Sequence, residues 1–312
     1  MIIKEYTPLD APTWDKAVAE SRNGTFLHMR GYMDYHADRF ADCSLLALDD
    51  HNRVLAVLPA HAADTEVASH RGLSFGGWLM TARADMPAMM QIWNEASRHY
   101  ADRGFTSLDY RPVPHIYHRY PAEEDLYALF RAGATLRSTL VSSTTDLSAP
   151  LQFDSNARRA MRRALAAGVE CHVSTDFAAF WPILSACLAE RHAATPVHTL
   201  AEITLLASRF PQNIVLYLAT LAGRPCAGVV MYLSHPVAHC QYIASDEEAR
   251  AVGALPLLFS RIQADATAAG YRWLDYGTSC EDAGRILNTG LIRQKCGFGA
   301  RAIAFNSFNV TL

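Results

Sequence analysis

The chain has 312 residues, half of them hydrophobic and 19% charged, with a formal net charge of −3. That length exceeds what one core usually fills, so two domains are expected, while the hydrophobic share excludes long disorder and the mild acidity excludes a surface built wholesale for nucleic acid. No run of 18 apolar residues suggests a transmembrane helix, and seven scattered cysteines without a Cys-x-x-Cys pair indicate neither a disulfide framework nor a zinc ribbon.

Met1–Tyr6 reads as a strand rather than a targeting segment, which makes the cytoplasm the expected location. Ser44–Leu48 and Val54–Leu58 are apolar runs on either side of the turn Asp49-Asp50-His51-Asn52; a helix over Met86–Asp102 and a strand over Ser107–Tyr110 follow. The stretch from Ala149-Pro150 to Asn156 marks a junction, giving domains 1–150 and 151–312. Beyond it, Asp176 caps a helix to about Arg191, and a second helical stretch follows Thr199. Ile214–Thr220 and Ala227–Leu233 flank turn chemistry at Ala222-Gly223-Arg224-Pro225, a hairpin signal. A third strand, His239–Ala244, precedes an amphipathic helix from about Gly253 to Ala269, stopped by Gly270. A strand Trp273–Tyr276, a short helix and a closing strand Ala302–Thr311 complete the order.

The chain also repeats itself. Asp109 and Asp275 end similar segments at an offset of 166, Trp14 and Trp181 stand 167 apart, and Gly133 and Gly297 stand 164 apart. Each half shows helices, an antiparallel meander, a helix, a strand, a helix and closing strands. That order is α+β (mixed α/β), not a βαβαβ unit.

Several segments resemble one family. They are Asn156-Ala157-Arg158-Arg159-Ala160-Met161-Arg162-Arg163-Ala164 with Gly168-Val169, Arg191-His192, Pro196-Val197-His198-Thr199, Leu274-Asp275-Tyr276-Gly277-Thr278-Ser279, and the closing Gly290-Leu291-Ile292-Arg293-Gln294-Lys295-Cys296-Gly297-Phe298-Gly299. The chain resembles the Fem-type (FemABX-like) branch of the GNAT acyltransferase superfamily. The resemblance implies two tandem GNAT-like domains, each a mostly antiparallel central sheet flanked by helices. The second would carry the acyl-transfer centre and the first, without catalysis of its own, would shape the acceptor side. It further implies an amide-forming enzyme that moves an aminoacyl group from aminoacyl-tRNA to a small-molecule or peptide amine, with no permanently bound cofactor and no role for DNA. Lys295 falls on the family's lysine at the acyl-transfer centre.

Such chemistry needs few side chains, because backbone N–H groups can stabilise the tetrahedral oxyanion. Lys295, one of only three lysines among 28 cationic residues, is the first candidate; the alternative is a solvated surface lysine. His198, before a helix start, could take the acceptor's proton, and Tyr276, Tyr242 and Asn288 are placed near the reacting centre. Asp275 and Asp109 are candidate bases, with a shared structural role as the simpler reading. Arg158 and Arg162, in a run with Arg159 and Arg163, could meet phosphates of tRNA, CoA or a nucleotide-linked acceptor, or form a solvated face. Trp78, Tyr110 and Arg111 are candidates for an acceptor wall in the first half. Arg250, Gly253 and Ala254 approximate an acyl-CoA pyrophosphate loop directly after a strand, departing from it at Leu255, so an acyl-CoA-dependent N-acyltransferase is the alternative enzyme and a non-catalytic binding module the alternative class. Gly72-Leu73-Ser74-Phe75-Gly76 matches a nucleophile elbow without the helix that must follow. The pairs His115/His118 and His235/His239 lack the spacing and acidic partners of a metal site.

Overall fold

Where capping and stop signals are strong, the backbone follows them. The Asp85 side chain accepts from Ala88 N at 2.9 Å and opens a helix over Met86–Asp102, and Thr199 and Glu202 form a reciprocal capping box at the start of Leu200–Arg209. Ala222 and Gly223, both in the left-handed region, close a two-residue hairpin whose flanking Leu221 and Arg224 pair. The structure, a computed structural model, describes residues 1–192 and 194–312, without the side chains of residues 191 and 192. The Arg191-His192 side chains of the family segment therefore lie outside the described residues.

The chain divides into two compact units, Met1–Leu140 with 283–285 and 304–312, and Val141–Asp282 with 286–303. In chain order the first contains β1 (Ile2–Glu5), α1 (Ala11–Glu20), β2 (Leu45–Leu48), β3 (Val54–Leu58), β4 (His61–Ala63), β5 (Glu66–Ala68), α2 (Met86–Asp102), β6 (Ser107–Tyr110), α3 (Glu124–Arg131) and the start of β7 (Thr135–Asp146). The second holds the end of β7, then α4 (Ser155–Ala166), β8 (Glu170–Ser174), α5 (Phe177–His192), α6 (Leu200–Arg209), β9 (Ile214–Leu221), β10 (Arg224–Ser234), β11 (Val237–Ser245), α7 (Glu247–Val252), α8 (Ala254–Ala268), β12 (Trp273–Thr278) and α9 (Thr289–Gly297). The last strand, β13 (Arg301–Thr311), runs from the second unit into the first.

In the first unit β1, β2 and β3 form an antiparallel sheet, and β13, β6, β5 and β4 lie side by side in another. Its core gathers Trp78, Trp93, Tyr100 and Tyr110 with the apolar faces of β2, β3 and α2. In the second unit the order is β8, β9, β10, β11, β12 and the end of β7; every neighbouring pair is antiparallel except β11 with β12. Alternation along β11 and β12 sends Ala238, Cys240, Leu274 and Tyr276 to the core beneath α8, so His239 and Asp275 face the opposite side.

The internal repeat is visible as matching ladders. In the first unit the parallel pair β5–β6 runs Glu66↔Ser107, Val67↔Leu108, Ala68↔Asp109; in the second β11–β12 runs Val237↔Trp273, Ala238↔Leu274, His239↔Asp275. Each ends on the repeated aspartate. Trp14 on α1 and Trp181 on α5, the other repeated anchor, are both buried.

Gly253 stands at the corner between α7 and α8 with φ +87°, and a Cβ there would lie 2.7 Å from the Ala160 carbonyl oxygen of α4. Both strain and clash predict that Gly253→Ala destabilises the fold by at least about 1 kcal/mol, measured by equilibrium denaturation.

Candidate active site at the parting of two strands

After the rung His239↔Asp275, the parallel ladder stops although both strands continue. Each strand carries an irregularity just beyond that point. On β11 the pairing with β10 passes from Met231↔Cys240 to Val230↔Tyr242, so Gln241 is an extra, bulged residue. On β12 the pairing with β7 passes from Asp275↔Thr144 to Thr278↔Ser142, and Gly277 (φ +77°) supplies the left-handed residue of that bulge. A bulge leaves backbone groups unpaired and turns its strand away, so the two bulges open the sheet at this place. Exposed N–H groups at such an opening are what a developing oxyanion requires.

Three ionisable side chains converge there. Asp275, fully buried, accepts from Ser142 and Thr144 hydroxyls, from Gly277 N at 3.0 Å, and from His239 Nδ1 at 2.9 Å. Burial alone would push its pKa up; the charge of His239 and the hydrogen bonds outweigh it and hold the carboxylate below its ordinary range. Lys295, 5% exposed on α9, donates to Gly277 O at 2.8 Å and Thr278 O at 2.9 Å. Burial lowers its pKa to about 8 against the opposing charge of Asp275. The surface-lysine alternative is thereby excluded. Two of its three N–H donors are engaged, leaving one for a third acceptor.

The remaining sequence candidates separate. Tyr242 and His198 form a pair next to this site: the tyrosine hydroxyl receives His198 N–H at 3.2 Å and sits 2.6 Å from Nδ1. Nδ1 of His198 is thus engaged with the tyrosine hydroxyl, with the donor set by the histidine tautomer. Tyr276 lies on the other face, 1% exposed, its ring among Phe259 and Phe298, and burial raises its pKa. Asn288 caps α9, accepting from Leu291 N at 3.0 Å and donating to Glu281 at 3.0 Å.

Trp78 and Tyr110 are interior residues of the first unit; the Tyr110 hydroxyl receives Trp78 N–H at 2.7 Å and donates to Asp125 at 2.6 Å. Arg111 lies 3.6 Å from Asp109, which Arg71 and Arg137 also approach at 3.4 Å. The two repeated aspartates thus differ: Asp275 holds a histidine, whereas Asp109, paired in register with Ala68, is ringed by arginines.

Arg250, Gly253 and Ala254 do not form the expected loop. Helix α7 intervenes between β11 and Gly253, the Gly253 N–H bonds Ala249 O, and Arg250 donates to Ser245 O. With Ala160 packed against it, Gly253 serves a helix corner rather than a phosphate cradle. His239 does have an acidic partner, Asp275, 36 residues away in sequence and adjacent across a parallel ladder.

The arginine run divides by helix face. Arg158 reaches Gln152 and lines a cavity of about 630 Å³ with Phe153 and Met161. Arg159 and Arg163 instead line a larger cavity, about 1050 Å³, joined by Arg293 and Arg301. Among the described residues none of these four takes part in an ion pair, while Arg224, Arg250, Arg261 and Arg272 of the same unit all do. Gln294 and Cys296, the neighbours of Lys295, line this groove as well. Residues 293–297 of α9 therefore serve both the arginine groove and the strand opening. Arg162 is exposed and lines neither cavity. Among the described residues no cluster suits a metal ion, all seven cysteines are free, and no helix is long and apolar enough to cross a membrane.

Residues 152–285 match the family described as "Acetyltransferase (GNAT) domain". FemX superposes over 100% of this chain and 98% of its own with a TM-score of 0.71 at 13% identity. The C-terminal domain of a putative lysylphosphatidylglycerol synthetase from Agrobacterium fabrum gives 0.60 at 12% identity over 97% and 92% of the two chains. A tandem GNAT protein from the clavulanic acid biosynthesis pathway gives 0.54 at 11% identity over 99% and 98%. No curated protein matches the sequence. The second half of the chain thus matches a GNAT acetyltransferase domain over residues 152–285, and the chain as a whole shares the fold of FemX.

Proposed function

We propose that the protein transfers an aminoacyl group from aminoacyl-tRNA to the amine of a small molecule or peptide, with the second unit holding the transfer centre. In this reading the acyl carbonyl enters where β11 and β12 part. Lys295 receives the oxygen as it gains negative charge, together with backbone N–H groups of the opening other than that of Gly277, which Asp275 accepts. The observation that carries the choice of donor is the groove beside α9 lined by four arginines that form no ion pair among the described residues, which suits the phosphates of an RNA end. The spent N–H of Gly253 and the backbone of α4 against it argue against the compact pyrophosphate cradle of an acyl-CoA enzyme. The first unit, whose aspartate is neutralised by arginines, is assigned to the acceptor side.

Binding distinguishes the donors. Aminoacylated total tRNA should bind with an affinity that falls steeply with salt, with a logarithmic slope of about −3 for four phosphate contacts. Arg159→Glu combined with Arg293→Glu should weaken binding at least about tenfold and flatten that slope. A rise in melting temperature with acetyl-CoA and none with tRNA establishes the acyl-CoA reading instead; a shift with neither establishes the binding-module reading.

A further inference from the structure

His239 is the one member of the site whose chemistry remains unassigned. Its Nδ1 lies 2.9 Å from the Asp275 carboxylate, an acceptor only, so Nδ1 carries the proton and Nε2 a lone pair. Among the described residues no hydrogen bond engages Nε2, and the side chain is 17% exposed, against 0% for Asp275. The ring stands beside Gly277, whose absent Cβ would lie 3.6 Å from His239 Cε1, on the same peptide whose carbonyl Lys295 holds. A base with an open lone pair thus sits on the last rung before the strands part, next to the group assigned to the oxyanion.

We infer that His239 is the general base of the acyl transfer and that Asp275 is its positioning residue. The inference rests on acyl transfer to an amine at this opening, and not on which donor brings the acyl group. The amine enters neutral, and its lone pair forms the new C–N bond as the carbonyl π pair moves to oxygen. Nε2 takes one proton from the attacking nitrogen, and the imidazolium returns it to the leaving oxygen of an aminoacyl ester, or the sulfur of a thioester, as that bond breaks. Atoms and protons balance without an added reagent. Asp275 holds the ring in the required tautomer and stabilises its protonated form, supported in turn by Ser142, Thr144 and Gly277 N–H. The same rung in the first unit, Ala68↔Asp109, has no such base.

The titratable groups around the pair are Asp275 and Tyr276 on β12, Tyr232 across the ladder on β10, Cys240 and Tyr242 on β11, and Lys295 on α9. ¹⁵N NMR of the full chain, with His239→Gln to assign the signal, should show a protonated Nδ1 and a bare Nε2 at neutral pH. Asp275→Asn should disturb that tautomer. With acetyl-CoA or aminoacylated total tRNA, whichever the wild type turns over, His239→Gln should lower transfer to ethylamine by about 10²-fold or more. Transfer to hydroxylamine, whose nitrogen becomes far more acidic than an alkylamine's once bonded to the carbonyl carbon and can lose its proton to water, should fall less than tenfold. An Nε2–H tautomer in the wild type, equal losses toward both nucleophiles, or full activity of His239→Gln overturns the assignment. Absence of turnover with either donor counts against the acyl-transfer reading of the opening, while the tautomer measurement still decides on His239.

Discussion

Lys295→Ala is expected to lower kcat/KM by about 10²- to 10³-fold, the usual effect of removing one preorganised oxyanion donor. Its fold should survive the change. The buried ammonium costs about 3 kcal/mol, corresponding to a pKa lowered from 10.5 to about 8. Its two hydrogen bonds to the Gly277 and Thr278 carbonyls return a similar amount. Thermal midpoints should therefore differ by a few degrees at most. The same pKa sets the pH behaviour of the wild type: the cation is present below about pH 8 and lost above it, so kcat should decline through that pH. Steady-state rates from pH 6 to 10 with a saturating acceptor, beside melting curves of both proteins, check both expectations.

Acid should destabilise the first unit strongly. His28 and His70 are buried, and burial lowers their pKa values to about 4 and about 3; His61 is lowered to about 4 in the same way. A histidine with a depressed folded pKa contributes stability above its unfolded value near 6.5, and loses it as pH falls toward the folded value, because the unfolded chain takes up the proton first. For His28 and His70 the loss by pH 4 is on the order of 2–3 kcal/mol each. His28 Nδ1 accepts Thr25 N–H at 3.0 Å and its other nitrogen lies 3.2 Å from Phe75 O, so protonation must break a satisfied pair of contacts. His70 lies in the left-handed region (φ 50°), which asparagine tolerates, so His70→Asn should keep the backbone and flatten the pH dependence. Urea unfolding between pH 7 and 4 measures both slopes.

The helix at Met86–Asp102 and the strand at Ser107–Tyr110 were legible to the residue, because a capped start and an apolar period are local signals. Strand β7 was not: Thr135–Asp146 is rich in serine and threonine, and its inward side chains are hydroxyls that bind Asp275 rather than an apolar stripe. Lys295 could be singled out from its rarity and its glycine-rich setting. The His239–Asp275 pair could not, since parallel register is a non-local property, and the aspartate's repetition in Asp109 made a structural role the simpler reading beside that of a base. The arginine groove was legible only as charge on α4; which stripe lines it depends on the packing of Ala157 and Ala164 inward and on Arg293 and Arg301, far downstream in the sequence.

A crystal structure with a non-hydrolysable 3′-aminoacylamino-adenosine analogue tests the site most directly, with an acyl-CoA analogue in a parallel soak. The account predicts the acyl carbonyl oxygen within about 3 Å of Lys295 Nζ, between β11 and β12, and the amine-facing side of that carbon toward His239 Nε2. An acyl group seated elsewhere, with Lys295 still bonded only to Gly277 and Thr278, would contradict it.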